Sequence, residues 1–198
     1  MNSTVTVTTA ATNSKLVDVG VVRAMLEIDG ASEDTKLGGL IDRASDVISR
    51  HCNRVFGLEI VSEQFRLDRL QEELILNRYP VVGDVTVVED GTTLAESAYE
   101  VDKAKGWITR LYNDRTCWWP ICKVTVAYSA GYTLPAQAPQ ALQQACLQLV
   151  KAFYLGGDRD PLIRSESITP MSSASYFGGS EYLPPDVLGL LKQFRKFK

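Results

Sequence analysis

Four cysteines and a single histidine hold the strongest metal and redox chemistry in this chain, and their spacing decides what they can do. Cys52, Cys117, Cys122 and Cys146 match neither a zinc knuckle nor a redox pair, and His51 has no second histidine to work with. Free cysteine behaves as a small hydrophobe, so these thiols are expected to be reduced and buried. Asp158 and Asp160 flank Arg159 just beyond Gly156-Gly157 and offer two carboxylates to a divalent cation. Beside a Gly-Gly pair the same pattern reads as a solvated helix exit, and that is the reading adopted. Trp118-Trp119, ahead of Pro120, has the chemistry to stack on a base or a partner, but tryptophans just before a strand are expected to bury against the sheet. No Gly-rich phosphate loop, nucleophile elbow or histidine metal motif occurs. The expectation is therefore no catalytic residue, no cofactor and no metal: a protein that is not an enzyme and works through its surfaces.

Composition narrows the class further. The 198 residues are 45% hydrophobic, enough for a real core, and no apolar run approaches the roughly 20 residues that cross a bilayer. A soluble protein is expected. Residues 1 to 14 carry no basic cluster followed by an apolar block, so no secretory signal is read and synthesis in the cytoplasm is expected. A net charge of −3 excludes a broad basic face that grips nucleic acid, though not DNA passing through a channel.

The organising stretch runs from Val124 to Leu155. An alternating strand (Val124, Val126, Tyr128) meets a Gly-Tyr turn, a proline-bounded loop and a helix over 139–155. Leu142, Ala145, Cys146, Leu149, Val150 and Phe153 form that helix's apolar stripe, and Gln140, Gln144 and Gln148 fall on its other side. Glutamine there gives a surface that a neighbouring subunit covers without desolvating ions. Two earlier helices are read over 18–28, with Asp18 as N-cap, and over 34–53, with Leu37, Ile41, Ala44 and Ile48 at helical spacing. Five or six short extended runs between about 59 and 128 read as an antiparallel β insertion.

The two ends are less regular. Residues 1–15 are a Thr-, Ser- and Asn-rich arm too polar to order itself, for which a neighbouring subunit is the expected support. Residues 158–183 are an extended loop with scattered apolar side chains, among them Ile168, Met171, Tyr176 and Phe177. Pro184-Pro185-Asp186 starts a final helix over 184–198 carrying Leu188, Leu191 and Phe194, with Lys192, Arg195, Lys196 and Lys198 at its end.

In their order these segments resemble the head-tail connector proteins of tailed bacteriophages, also called adaptor or head-completion proteins. The resemblance covers residues 16 to 155. Its pieces are Leu26-Glu-Ile-Asp29, Cys52-Asn-Arg-Val-Phe-Gly57, Tyr79-Pro-Val-Val82, Val124-Thr-Val-Ala-Tyr-Ser-Ala-Gly-Tyr132 and the helix containing Gln144-Ala-Cys-Leu-Gln-Leu-Val150. It implies a helical bundle with a small β-rich insertion, so the expected fold is α+β, mainly a helical bundle with a small antiparallel β insertion, to which this chain adds its own extended N-terminal arm and C-terminal loop and helix; the Thr-rich start and long final loop depart from the shorter connectors. It also implies a structural protein of the virion neck: a homo-oligomeric ring, commonly a dodecamer, beneath the portal protein, joined to a tail or stopper protein, with double-stranded DNA passing unread through its lumen and no membrane. The expected partner interface comprises Gln140, Gln144, Gln148, Ile168, Met171, Tyr176, Phe177, Leu188, Leu191 and Phe194. A tail-side completion or stopper protein is the alternative, and a nucleic-acid-processing enzyme the more distant one. Truncation after Gly157 is expected to leave a folded domain that no longer joins the neck.

Overall fold

A computed structural model describes residues 2–156, 165–169, 172–175 and 183–196. In chain order the elements are β1 (Asn2–Thr9), α1 (Val19–Leu26), α2 (Asp34–Cys52), β2 (Glu59–Arg66), β3 (Glu73–Ile75), β4 (Val81–Glu89), β5 (Thr92–Thr93), a 3-10 turn (Glu96–Ala98) and β6 (Tyr99–Asp102). There follow β7 (Trp107–Tyr112), β8 (Arg115–Cys117), β9 (Lys123–Ala130), α3 (Gln140–Gly156), β10 (Ser165–Thr169), β11 (Ser172–Ser175), α4 (Pro185–Leu191) and a second 3-10 turn (Lys192–Phe194). They form two compact units, each assembled from two stretches of chain: Met1–Ser14 with Val55–Gln137, and Lys15–Arg54 with Ala138–Lys198.

The first unit is all β apart from one 3-10 turn. Its larger sheet has the order β1-β2-β9-β4-β5, every pair antiparallel; the smaller has the order β3-β7-β6, with β8 continuing the edge of β7. Strict alternation drives it. On β2 and β9 the buried positions are Glu59, Val61, Glu63 and Phe65, and Val124, Val126, Tyr128 and Ala130. They close on Leu74 and Ile108 of the smaller sheet and on Trp119 to make one core.

Two glycines quoted above for the family resemblance meet inside this unit. Gly131 has φ +112°, and a Cβ placed on it would collide with the backbone carbonyl of Gly57. A Cβ on Gly57 would in turn lie 2.6 Å from the Ala11 Cβ. Close backbone approach, tied by the Leu58 N–H donating to the Tyr132 carbonyl at 2.9 Å, is why side chains are excluded at both.

The second unit is helical. The Asp18 carboxylate caps α1 by accepting the Gly20 N–H at 2.8 Å, and Arg23 of α1 pairs with Asp34 of α2 at 3.1 Å. Leu37, Ile41, Ala44, Ile48 and Cys52 of α2 are buried, as are Leu142, Ala145, Cys146, Leu149 and Val150 of α3 and Val187 and Leu191 of α4. α2 packs on α3 and α3 on α4. At the centre of the unit the Ser45 hydroxyl accepts the Leu16 N–H at 3.1 Å, which fixes the entry of the chain into α1.

The expected mainly helical bundle with a small β insertion does not form. The short extended runs own a core as complete as that of the helices, and the two sheets make a unit in their own right rather than an insertion. Nor is the N-terminus an extended arm. Residues 2–9 are β1, paired with β2 from Asn2↔Arg66 to Thr9↔Ile60. Backbone hydrogen bonds and the inward side of Val5 supply what the polar side chains of this run lack. The C-terminal loop is corrected where it is described: Ser165–Thr169 and Ser172–Ser175 form an antiparallel ladder. Nor is α4 a separable appendage. The Lys196 N–H donates to the Cys52 carbonyl at 2.9 Å and Arg54 Nη1 to the Phe194 carbonyl at 3.4 Å, so a chain cut after Gly157 loses part of this unit's core.

Candidate functional site

Among the described residues no group of three or more His, Cys, Asp or Glu side chains is placed to hold a metal ion. Asp158 and Asp160 lie outside the described residues. Cys52 and Cys146 are buried and their thiols are held protonated, burial pushing each up to about 11. Cys117 and Cys122 are half-buried, and all four are free thiols.

The densest polar chemistry is a buried knot on the larger sheet that the sequence reading passed over. Glu63 is fully buried between Val61 and Phe65 on β2, with Val5 on one side and Val126 on the other in the same cross-strand row. Its carboxylate accepts the Tyr128 hydroxyl at 2.8 Å and the Asn77 backbone N–H at 2.8 Å through Oε2, and the Asn77 amide through Oε1. The Asn77 amide also donates to the Ser3 hydroxyl of β1 at 2.7 Å. Beside it Arg78 Nε donates to the nearly buried Glu59 at 2.9 Å. Burial, and then the adjacent Glu63 charge, raise the Tyr128 hydroxyl above its ordinary value, so it stays a hydrogen-bond donor. The Glu63 carboxylate is thus engaged by a backbone N–H, a side-chain amide and a hydroxyl of the chain itself. The knot ties β1, β2, β9 and the segment after β3 together. Its signal in the sequence was parity: Val61, Glu63, Phe65 and Leu67 alternate inward, and the carboxylate stands in an apolar row.

The remaining chemistry is on surfaces. On α3, Gln140 and Gln144 are exposed and Gln148 half-buried, while Gln143 Nε2 donates to the Ala138 carbonyl at 2.8 Å. Gln140, Ala141, Gln143, Gln144 and Leu147 line an open hollow of about 450 Å³. On α4, Leu188 is half-buried and Leu191 fully buried, and Phe194 in the turn beyond it is half-buried. Ile168 lies within β10, and Met171, Tyr176 and Phe177 lie outside the described residues.

The tryptophan pair divides. Trp119 is fully buried, its indole N–H donating to the Ile108 carbonyl at 3.3 Å, whereas Trp118 is 58% exposed. Leu70 and Ile121 are exposed on the loops that a Gln71↔Trp119 bridge holds side by side, and Ile75 and Trp107 are exposed cross-strand partners on the smaller sheet. These exposed side chains leave apolar surface on the β unit, while its polar chemistry is buried in the Glu63 knot.

Comparison with known proteins gives the family. The family model of the head completion proteins matches residues 15–197, and the chain belongs to that family. It is a structural protein of the virion, joining head to tail. No curated protein sequence matches it significantly. Chains of solved structures share the fold, three of which follow. A chain from "Neck of empty GTA particle computed with C6 symmetry" superposes with a TM-score of 0.60 at 16% identity, covering 98% of this chain and 96% of the other. One from "Virion of native gene transfer agent (GTA) particle" gives 0.59 at 18% identity, and one from "Neck of native GTA particle computed with C12 symmetry" gives 0.58 at 17%, each over 98% of this chain and 96% of the other.

Proposed function

We propose that the protein forms a ring of twelve copies in the virion neck, seated beneath the portal and continuing the DNA channel toward the tail. The observation that carries this reading is the head completion match over residues 15–197, and a fold shared along 98% of the chain with a chain from a neck of twelvefold symmetry supports it. Its partners are copies of itself, the portal and a tail or stopper protein, with double-stranded DNA sliding through the lumen. The work is done without catalysis or cofactor. Copies meet in part through Gln140, Gln144 and Gln148, whose uncharged amides are covered without stripping water from ions. Ile168, Met171, Tyr176 and Phe177 belong to a partner-contacting segment. At α4 and the turn beyond it the contact is made by Leu188 and Phe194, while Leu191 packs inside its own unit. The lumen is neutral or acidic so that DNA is not held, and the basic C-terminal residues meet protein.

Mass photometry tests the reading. With portal present, a particle near 260 kDa, twelve times the 21.9 kDa chain, is expected in addition to the portal, or bound to it. A chain that stays monomeric with portal overturns it. The β-rich first unit supports one second reading, a tail-side completion protein of the same neck; binding to isolated tails but not to portal selects that one.

A further inference from the structure

The larger sheet ends on one side in an unprotected edge. Among the described residues β1 pairs with β2 along one edge only, and its other edge is unpaired over eight residues, Asn2–Thr9. Edge strands of soluble proteins are usually short, interrupted by proline or bulges, or guarded by charge. β1 has no charged residue and no proline, and its one irregularity falls at its far end, between Val7 and Thr9. The opposite edge, β5, is only two residues long. One edge is therefore built as the sequence would build it if it were to be covered.

The same chain carries strands that lack a sheet. Among the described residues β10 and β11 pair only with each other, and a two-stranded ladder alone is marginal in water. Their sequences contain no proline and read Ser165-Glu-Ser-Ile-Thr169 and Ser172-Ser-Ala-Ser175, with Glu166 the single charge. At five and four residues both fit within the eight offered by β1. Docking Ser- and Thr-rich strands on an uncharged Thr-rich edge desolvates almost no ions, and main-chain hydrogen bonds supply the affinity.

We propose that the β10–β11 ladder of one copy adds to the free β1 edge of the next, extending its five-stranded sheet across the subunit boundary. The contact is head-to-tail: each copy gives one ladder and accepts one, so a closed ring satisfies every edge and leaves none open to aggregation. This rests on the ring reading above and names the contact that closes it.

The test mixes two variants of the full chain, both carrying Cys117→Ala and Cys122→Ala to remove the half-buried thiols, so that beside the buried Cys52 and Cys146 each has one introduced, accessible cysteine. One bears Thr4→Cys or Thr6→Cys, the other Ser167→Cys, Ser172→Cys or Ser173→Cys. In rings formed with portal, mild oxidation is expected to give a disulfide between the two variants for at least one combination, at ten-fold or more the yield in free monomer. Rings that form and yield no such disulfide overturn the proposal while the ring reading stands; absence of rings from the unsubstituted chain overturns both. A disulfide that forms only within one chain bearing both cysteines places the ladder on its own β1 and also overturns it. Independently, Thr4→Lys with Thr6→Lys, both at exposed positions, is expected to leave monomer folding unchanged and to lower the ring population at least ten-fold. Unchanged assembly of that variant counts against the shared sheet.

Discussion

Glu63 is the residue whose removal separates packing from polarity most cleanly. Glu63→Ala takes the acceptor from the buried Tyr128 hydroxyl and removes the carboxylate that the half-buried Asn77 N–H donates to, and a loss of about 3 kcal/mol is expected from urea unfolding. Tyr128→Phe deletes one donor and keeps the ring, so a smaller loss of about 1–2 kcal/mol is expected. Cys52 and Cys146 give a pH signature. Their thiols ionise near 11 in the folded chain against an ordinary value near 9, so the unfolded chain loses those protons first as pH rises. Stability is unaffected below pH 9 and falls between about 9 and 11, which chemical denaturation across that range checks. At pH 8 a thiol reagent is expected to label Cys117 and Cys122 quickly and the other two only on unfolding. The burial of Cys52 and Cys146 followed from their apolar helical spacing. The role of Glu63 was equally encoded, by parity, but its three hydrogen-bonding partners come from residues 14 and 65 positions away and from the amide that also reaches Ser3.

Elements with their own periodicity were legible, and those that depend on a distant strand were not. Leu37, Ile41, Ala44 and Ile48 mark the buried face of α2, and Leu142, Ala145, Cys146 and Leu149 that of α3, because a helix buries what its own spacing gathers. β1 has no such internal signal. Its partner begins 50 residues beyond its last residue, and a Thr-rich run becomes ordered only when β2 offers its edge. Deleting residues 2–9 is accordingly expected to cost about 2–4 kcal/mol through lost ladder bonds and the lost cover of Val5, measured by the urea midpoint, instead of trimming a dispensable arm. The Gly-Tyr turn after β9 was visible as a turn, but the reason for glycine was the backbone of Gly57, far away in sequence. Gly131→Ala is expected to keep the chain from folding stably, seen as insoluble expression or loss of several kcal/mol.

At the scale of the whole molecule the helix-weighted expectation failed because short strands were counted as a decoration of the helices, when their shared core makes them a unit. Gln144 belongs to this scale: Gln144→Lys sits at an exposed position, so the monomer is expected to melt as before while ring formation weakens, read by mass photometry. The order of the larger sheet, β1-β2-β9-β4-β5, also governs how the protein is made. β9 lies between β2 and β4 yet is the last of the five to be synthesised, so until residue 130 has left the ribosome both of those strands wait with bare edges. At about 5–20 residues per second that interval lasts several seconds, long enough for two nascent chains on one message to find each other. Slowing translation before β9 is accordingly expected to raise the aggregated fraction of this neck component, measured by pelleting of the newly made chain.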